Sequence, residues 1–112
     1  RESGLADLLP SLPEKVWVGL SGGSMVMTPR IGPEFVAWKP PSGGDETLGI
    51  VAFSIFPNLD YPTFPDNTMA HAEKWAARLP NPSYAIDDET AIKVVDGTVE
   101  VISEGHWKLF PR

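Results

Sequence analysis

Lys15-Val16-Trp17-Val18-Gly19-Leu20-Ser21-Gly22-Gly23-Ser24 decides how this chain is read. A β-branched and aromatic run enters Gly-x-Ser-x-Gly, and an apolar stretch follows. That order is the order of a nucleophile elbow: a buried strand over residues 15–20, a tight turn, then a helix, with the serine hydroxyl exposed on the turn. The spacing has a steric reason. A side chain at Gly19 or Gly23 would crowd so sharp a turn, and glycine also accepts positive φ. Backbone N–H groups at the helix start are left free to hold an oxyanion. Ser21 is therefore the candidate nucleophile. Ser24, one turn on, is expected to bond back to a carbonyl. A plain glycine-rich turn is the competing reading, and the flanking strand and helix weigh against it. Dinucleotide and P-loop readings fail, because neither Gly-x-Gly-x-x-Gly nor Gly-Lys-Ser/Thr occurs.

Outward from the elbow, residues 4–9 read as a helical turn stopped by Pro10 and Pro13. The helix after Ser21 is expected over residues 22–28, ended by Pro29. Residues 30–47, with Pro40-Pro41-Ser42-Gly43-Gly44, read as loop. The apolar run over residues 48–56 predicts a strand buried on both faces. Pro57, Pro62 and Pro65 mark a second loop over residues 57–66. Met69, Ala72, Ala76 and Leu79 form a helical stripe over residues 68–79, closed by Pro80. A short strand is expected over residues 83–87, a hairpin over 91–95 and 98–102 about Asp96-Gly97, and a last strand over 106–110. Strands alternating with helices argue an α/β layered sheet with an antiparallel appendage. Ligands of such sheets sit beyond the carboxyl ends of the strands, an edge that Ser21, Asn58 and Asp88-Glu89 could share.

Composition narrows the partners. The net charge is −6 with no basic cluster, which argues against nucleic acid and anionic membrane surfaces. At 112 residues, residues 1–112 are expected to form one domain around one core. There is no cysteine, hence no disulfide framework or thiolate metal site. No apolar run reaches spanning length and no signal peptide opens the chain, and a cytoplasmic location is the expectation. No His/Asp/Glu spacing suggests a metal, and no cofactor is expected.

A nucleophilic serine needs a base, and the base an orienting group. His71 lies off the helical stripe and reads as exposed. His106 would give the chain order serine, acid, histidine, against the plainer reading of a half-exposed strand histidine beside Trp107. Asp87-Asp88-Glu89 is either a solvated turn or the source of an orienting carboxylate. Asp45-Glu46 reads as solvated loop.

Several blocks together carry a resemblance. They are Val18-Gly19-Leu20-Ser21-Gly22-Gly23-Ser24, then Leu48-Gly49-Ile50-Val51 leading into Phe56-Pro57-Asn58-Leu59-Asp60. Ala85-Ile86-Asp87-Asp88-Glu89-Thr90-Ala91, the Asp96-Gly97 hairpin and Glu104-Gly105-His106-Trp107 follow in family order. With these the chain resembles the C-terminal half of the peptidase E-like serine peptidases, a group that includes aspartyl dipeptidase and class I glutamine amidotransferase-like proteins. The resemblance implies a flavodoxin-like three-layer α/β sandwich, mainly parallel, with a C-terminal β-hairpin. It implies Ser21 as nucleophile, the Gly22 N–H as an oxyanion donor and Glu89 as the acid supporting a histidine. The family histidine falls at Asn58, and the next place where relatives often carry histidine is Tyr61. Neither is a base near neutral pH, since an amide does not titrate and a phenol has a pKa of about 10. Gly22 stands where relatives usually have Ala. No Arg precedes Arg78 after the histidine motif, so selectivity for an aspartyl substrate is not implied. The family domain is also longer at its N-terminal side. The expectation is thus a serine hydrolase of short peptides or another small-molecule substrate, impaired at Asn58. The alternative is a non-catalytic binding or interaction module that forms a homo-oligomer or pairs with an N-terminal half.

Overall fold

Residues 16–32, 35 and 44–111 are described by a computed structural model. The helical turn expected over residues 4–9 and most of the Pro/Gly-rich loop lie outside them. Among the described residues the elements in chain order are a 3-10 helix (Ser21–Met25), β1 (Ser54–Phe56), α1 (Met69–Ala77), β2 (Ser83–Ile86), β3 (Thr90–Val95), β4 (Thr98–Ser103) and β5 (Trp107–Phe110). They form a mixed three-stranded sheet in the order β1-β2-β5 and a separate β3-β4 ribbon. β1 runs parallel to β2 with Phe56 opposite Ala85, and β5 pairs antiparallel on the far side of β2. The fold is α/β, but its sheet is mixed rather than mainly parallel.

Alternation along the strands gives each sheet face its own core. Phe56 and Ala85 meet Ala72, Trp75, Ala76 and Leu79 of the α1 region, with Leu59 closing the end. Phe35, Phe56 and Trp75 pack edge-on with ring centroids 5.5–6.2 Å apart, a geometry worth about 0.5–1.5 kcal/mol per pair beyond burial. The Trp75 Nε1–H donates to the Ile31 carbonyl at 2.8 Å. α1 begins at Thr68, whose hydroxyl accepts from the His71 N–H as an N-cap. On the opposite face Phe53, Ile55 and Ile86 pack with Val51, Tyr84 and Ile92 of β3. Among the described residues one helix packs on one face of the sheet and Ile92 of the ribbon on the other.

Three expectations are corrected. Residues 16–20 form no strand and pair with none among the described residues, and Val16 and Leu20 are 88% and 82% exposed. A β-branched run becomes a buried strand only where an aligned edge receives it. The apolar run over residues 48–56 contributes only its last three residues to the sheet. Its first part bends at Gly49 (φ 66) and clasps the segment after the 3-10 helix. There the Leu48, Gly49 and Val51 N–H groups donate to the Val26, Thr28 and Met27 carbonyls. Finally, the helix expected over residues 22–28 is a 3-10 helix, Ser21–Met25. The Ser24 and Thr28 hydroxyls each bond back to the carbonyl three residues earlier, which favours tight turns over a continuing helix.

The remaining elements follow their sequence signals. α1 covers the middle of the expected 68–79 helix. The hairpin turns at Asp96 (φ 49) and Gly97 (φ 79), the double positive φ of a type I′ turn.

Candidate active site

β1 and β2 are parallel, so their carboxyl ends open at the same edge. Two residues beyond the end of each strand stands a side chain of one polar row: Asn58 after Phe56, Asp88 after Ile86. The Leu59 N–H donates to the Ile86 carbonyl at 2.9 Å and holds the two exits together. The start of the 3-10 helix brings Ser21 to this edge. Its hydroxyl donates to Asn58 Oδ1 at 2.7 Å, and Asn58 Nδ2 donates to Asp88 Oδ1 at 3.1 Å. The amide has one consistent orientation here. An ionised carboxylate only accepts, so the NH2 faces Asp88 and the oxygen is left for Ser21.

The backbone is special at two of these three positions. Ser21 has φ 51 and Asn58 φ 57, the left-handed region that few non-glycine residues enter. Asn is among the residues that tolerate it, whereas a serine held there marks a turn imposed by its surroundings. The constraint comes from Gly19. A β-carbon at Gly19 would lie 2.7 Å from the Gly23 carbonyl carbon and 2.8 Å from Ser24 Cα. At Gly23 a β-carbon meets nothing within 4 Å, so only the first glycine of the pattern is sterically required. The Gly23 N–H closes the turn onto the Leu20 carbonyl, and the Gly22 N–H has no partner among the described residues.

The three consecutive acids separate by role. Asp88 contacts Asn58. Glu89 is exposed, and no hydrogen bond or ion pair of its carboxylate exists among the described residues. Asp87 turns inward and accepts from the Glu89 N–H, the Thr90 hydroxyl and the His106 N–H. Burial pushes the Asp87 carboxyl up. These three donors, helped by the nearby His106 ring, outweigh it and hold the group below its ordinary value.

Neither histidine joins the row. His71 Nδ1 lies 2.8 Å from the Thr68 hydroxyl in the first turn of α1, and His106 is tied to Asp87 through its backbone. Tyr61 donates its backbone N–H to the Asn58 carbonyl, and its ring packs against Phe64. Asp45, read as solvated, is instead pinned by Arg30 Nη1 at 2.9 Å and by the Gly32 N–H at 3.0 Å. An open apolar depression of about 270 Å3 lined by Phe53, Tyr84 and Leu109 lies on the sheet face away from α1 and includes none of the Ser21, Asn58 and Asp88 row.

Chemically, the row is a hydroxyl, an amide and a carboxylate in hydrogen-bonded sequence. It orients Ser21 and fixes where its proton points. It offers that proton no acceptor of useful basicity, because an amide oxygen accepts a hydrogen bond but not the proton itself. No curated protein and no solved structure gives a significant match to the chain. The model of one family, Peptidase family S51, matches residues 2–102. That match spans Ser21, the Asn58 loop, the three acids and the hairpin turn, and the chain belongs to this family, the peptidase E family of serine peptidases.

Proposed function

We propose that the protein is a peptidase E-type serine hydrolase of short peptides whose proton-transfer step is disabled at Asn58. Ser21 is the nucleophile, the Gly22 N–H an oxyanion donor, and Asp88, rather than Glu89, the carboxylate behind the base position. The observation that carries this reading is the 2.7 Å donation from the Ser21 hydroxyl to Asn58 Oδ1. Attack by Ser21 requires its proton to leave as the tetrahedral intermediate forms. With histidine the imidazole takes it and returns it to the leaving amine. With an amide no such transfer occurs, and the positioned hydroxyl serves binding more than turnover. General-base transfer typically contributes about 10²–10⁴-fold to rate, which sets the size of the deficit.

The test is Asn58→His together with an alkyl fluorophosphonate that labels activated serines. The expected outcome is slow labelling of Ser21 in the wild type, at least about 10²-fold faster labelling in Asn58→His, and loss of labelling in Asn58→His/Ser21→Ala. Equal labelling rates in the wild type and Asn58→His, or labelling that survives Ser21→Ala, overturn it. The fold tolerates the change at the backbone, since His, like Asn, is enriched among residues with positive φ.

A second reading, a non-catalytic module that pairs with a second copy or another chain segment, is favoured by one observation. Val16, Val18 and Leu20 on the approach to Ser21, and Trp107 and Leu109 on β5, are exposed apolar side chains of the kind that mark contact surfaces.

A further inference from the structure

The loop that follows Asn58 is built in steps of three. The Tyr61 N–H donates to the Asn58 carbonyl, the Phe64 N–H to the Tyr61 carbonyl, and the Asn67 N–H to the Phe64 carbonyl, at 3.0–3.2 Å. Each turn begins where the previous one ends. Pro62 and Pro65 occupy the second position of the second and third turns, where the ring pre-sets φ. The first turn carries its positive φ at Asp60 (φ 59), its third residue. The ends are then tied together. The Asp60 N–H donates to the Asn67 carbonyl at 2.6 Å, and Asn67 Nδ2 reaches the Pro57 and Asn58 carbonyls. Loop conformation is therefore fixed before any ligand arrives, which lowers the ordering cost of binding.

On this frame sit two aromatic rings. Tyr61 and Phe64 have centroids 5.3 Å apart and planes tilted by 36°, and they are 37% and 46% exposed. The turn from Asn58 to Tyr61 holds the Cα atoms of those two residues within about 7 Å of each other. The aromatic pair thus stands on the loop that begins at the residue that receives the Ser21 hydroxyl. Rigid exposed aromatics bind apolar side chains with little entropic loss. No basic residue lies between residues 57 and 70, so nothing on this loop answers a substrate carboxylate.

We propose that Tyr61 and Phe64 form a shelf that selects ligands carrying an aromatic side chain next to the group presented to Ser21. As the substrate class of the same site, this rests on the peptide-binding part of the reading above and not on turnover.

The test is binding of the dipeptides Phe-Ala, Ala-Ala and Asp-Ala to the wild-type protein by calorimetry. The tighter-binding ligand is expected to be Phe-Ala, by about 3- to 10-fold over Ala-Ala, with Asp-Ala no better than Ala-Ala. The advantage should vanish in Tyr61→Ala/Phe64→Ala and persist in Tyr61→Phe/Phe64→Tyr. A variant-independent readout is the shift of the Tyr61 and Phe64 ring resonances on titration with Phe-Ala, which also covers a double-alanine protein that fails to fold. No Phe-Ala preference in the wild type, a preference that survives removal of both rings, or unshifted ring resonances each overturn the shelf. Failure of Asn58→His to gain reactivity leaves the shelf standing and sinks the hydrolase reading instead.

Discussion

A β-carbon placed on Gly19 presses on backbone, the Gly23 carbonyl and Ser24 Cα, and backbone in a closed turn cannot step aside as a side-chain tip can. Gly19→Ala is therefore expected to destabilise the protein by about 1–3 kcal/mol, the usual cost of overpacking, and to misplace Ser21. Gly23→Ala adds its methyl to open space at a position without positive φ, and should change stability by no more than about 0.5 kcal/mol. Urea denaturation of the two variants side by side checks the contrast. Equal losses would mean that the turn is not closed as described. Asymmetry of this kind is invisible in Gly-x-Ser-x-Gly as letters, because both glycines read alike until the path of the chain shows which one faces backbone. The same holds for Asp88. Three adjacent acids are equivalent as composition, and only the parallel pairing of β1 with β2 brings one of them, rather than Glu89, against Asn58. Ser21 beside Asn58 was legible through the resemblance, which puts the family histidine at Asn58, and not through the run before Ser21, which pairs with no strand among the described residues.

At the scale of elements, Asp87 joins three of them. It leaves β2, accepts from the start of β3 at Thr90 and from the residue before β5 at His106. Gly105 lies so close that a β-carbon there would sit 2.8 Å from the Asp87 carboxyl carbon. The carboxyl is held below its ordinary value of 3.8 in the fold. A lowered folded value means that the unfolded chain takes up the proton first as pH falls. The contribution of Asp87 is thus fully present above pH about 4 and is lost as pH drops through the folded value. Asp87→Asn should lower the urea midpoint at neutral pH, and the gap to wild type should close as pH falls through the lowered folded value of the Asp87 carboxyl. A gap that stays constant with pH would show that the carboxylate charge plays no part. The elements themselves were readable where their signals are local. The apolar stripe and Pro80 stop of α1, and the Asp96-Gly97 turn, act within a few residues. The short β1 was not, because the first part of its apolar run spends its N–H groups on the turn after the 3-10 helix, a long-range pairing that no local pattern encodes.

At the scale of the molecule, α1 covers one face of the sheet while Tyr84, Trp107 and Leu109 leave the other face partly open. The exposed run over residues 16–20 adds to the uncovered apolar surface. If this surface is a contact surface, light scattering should return a mass above that of one chain at tens of micromolar, about the range of modest interfaces. Trp107→Asp should then shift the protein toward the single-chain mass. A monodisperse single chain at all concentrations would remove the support for a pairing module. The α/β class was legible from the alternation of apolar runs and helical stripe. The full layering was not, because each layer depends on which edge accepts which strand, and the run over residues 16–20 carries every local mark of a strand without a described edge to receive it.

The hydrogen-bonded row from Ser21 through Asn58 to Asp88 has a genetic consequence. Asparagine and histidine codons differ only in their first base. The backbone at residue 58 already adopts a conformation that both residues accept, the carboxylate behind it is in place, and the hydroxyl in front of it already points at it. A point mutation in one codon position therefore separates this row from a serine, histidine and aspartate in sequence. Few other changes of a single base would alter the chemistry of the chain so much while asking so little of its fold.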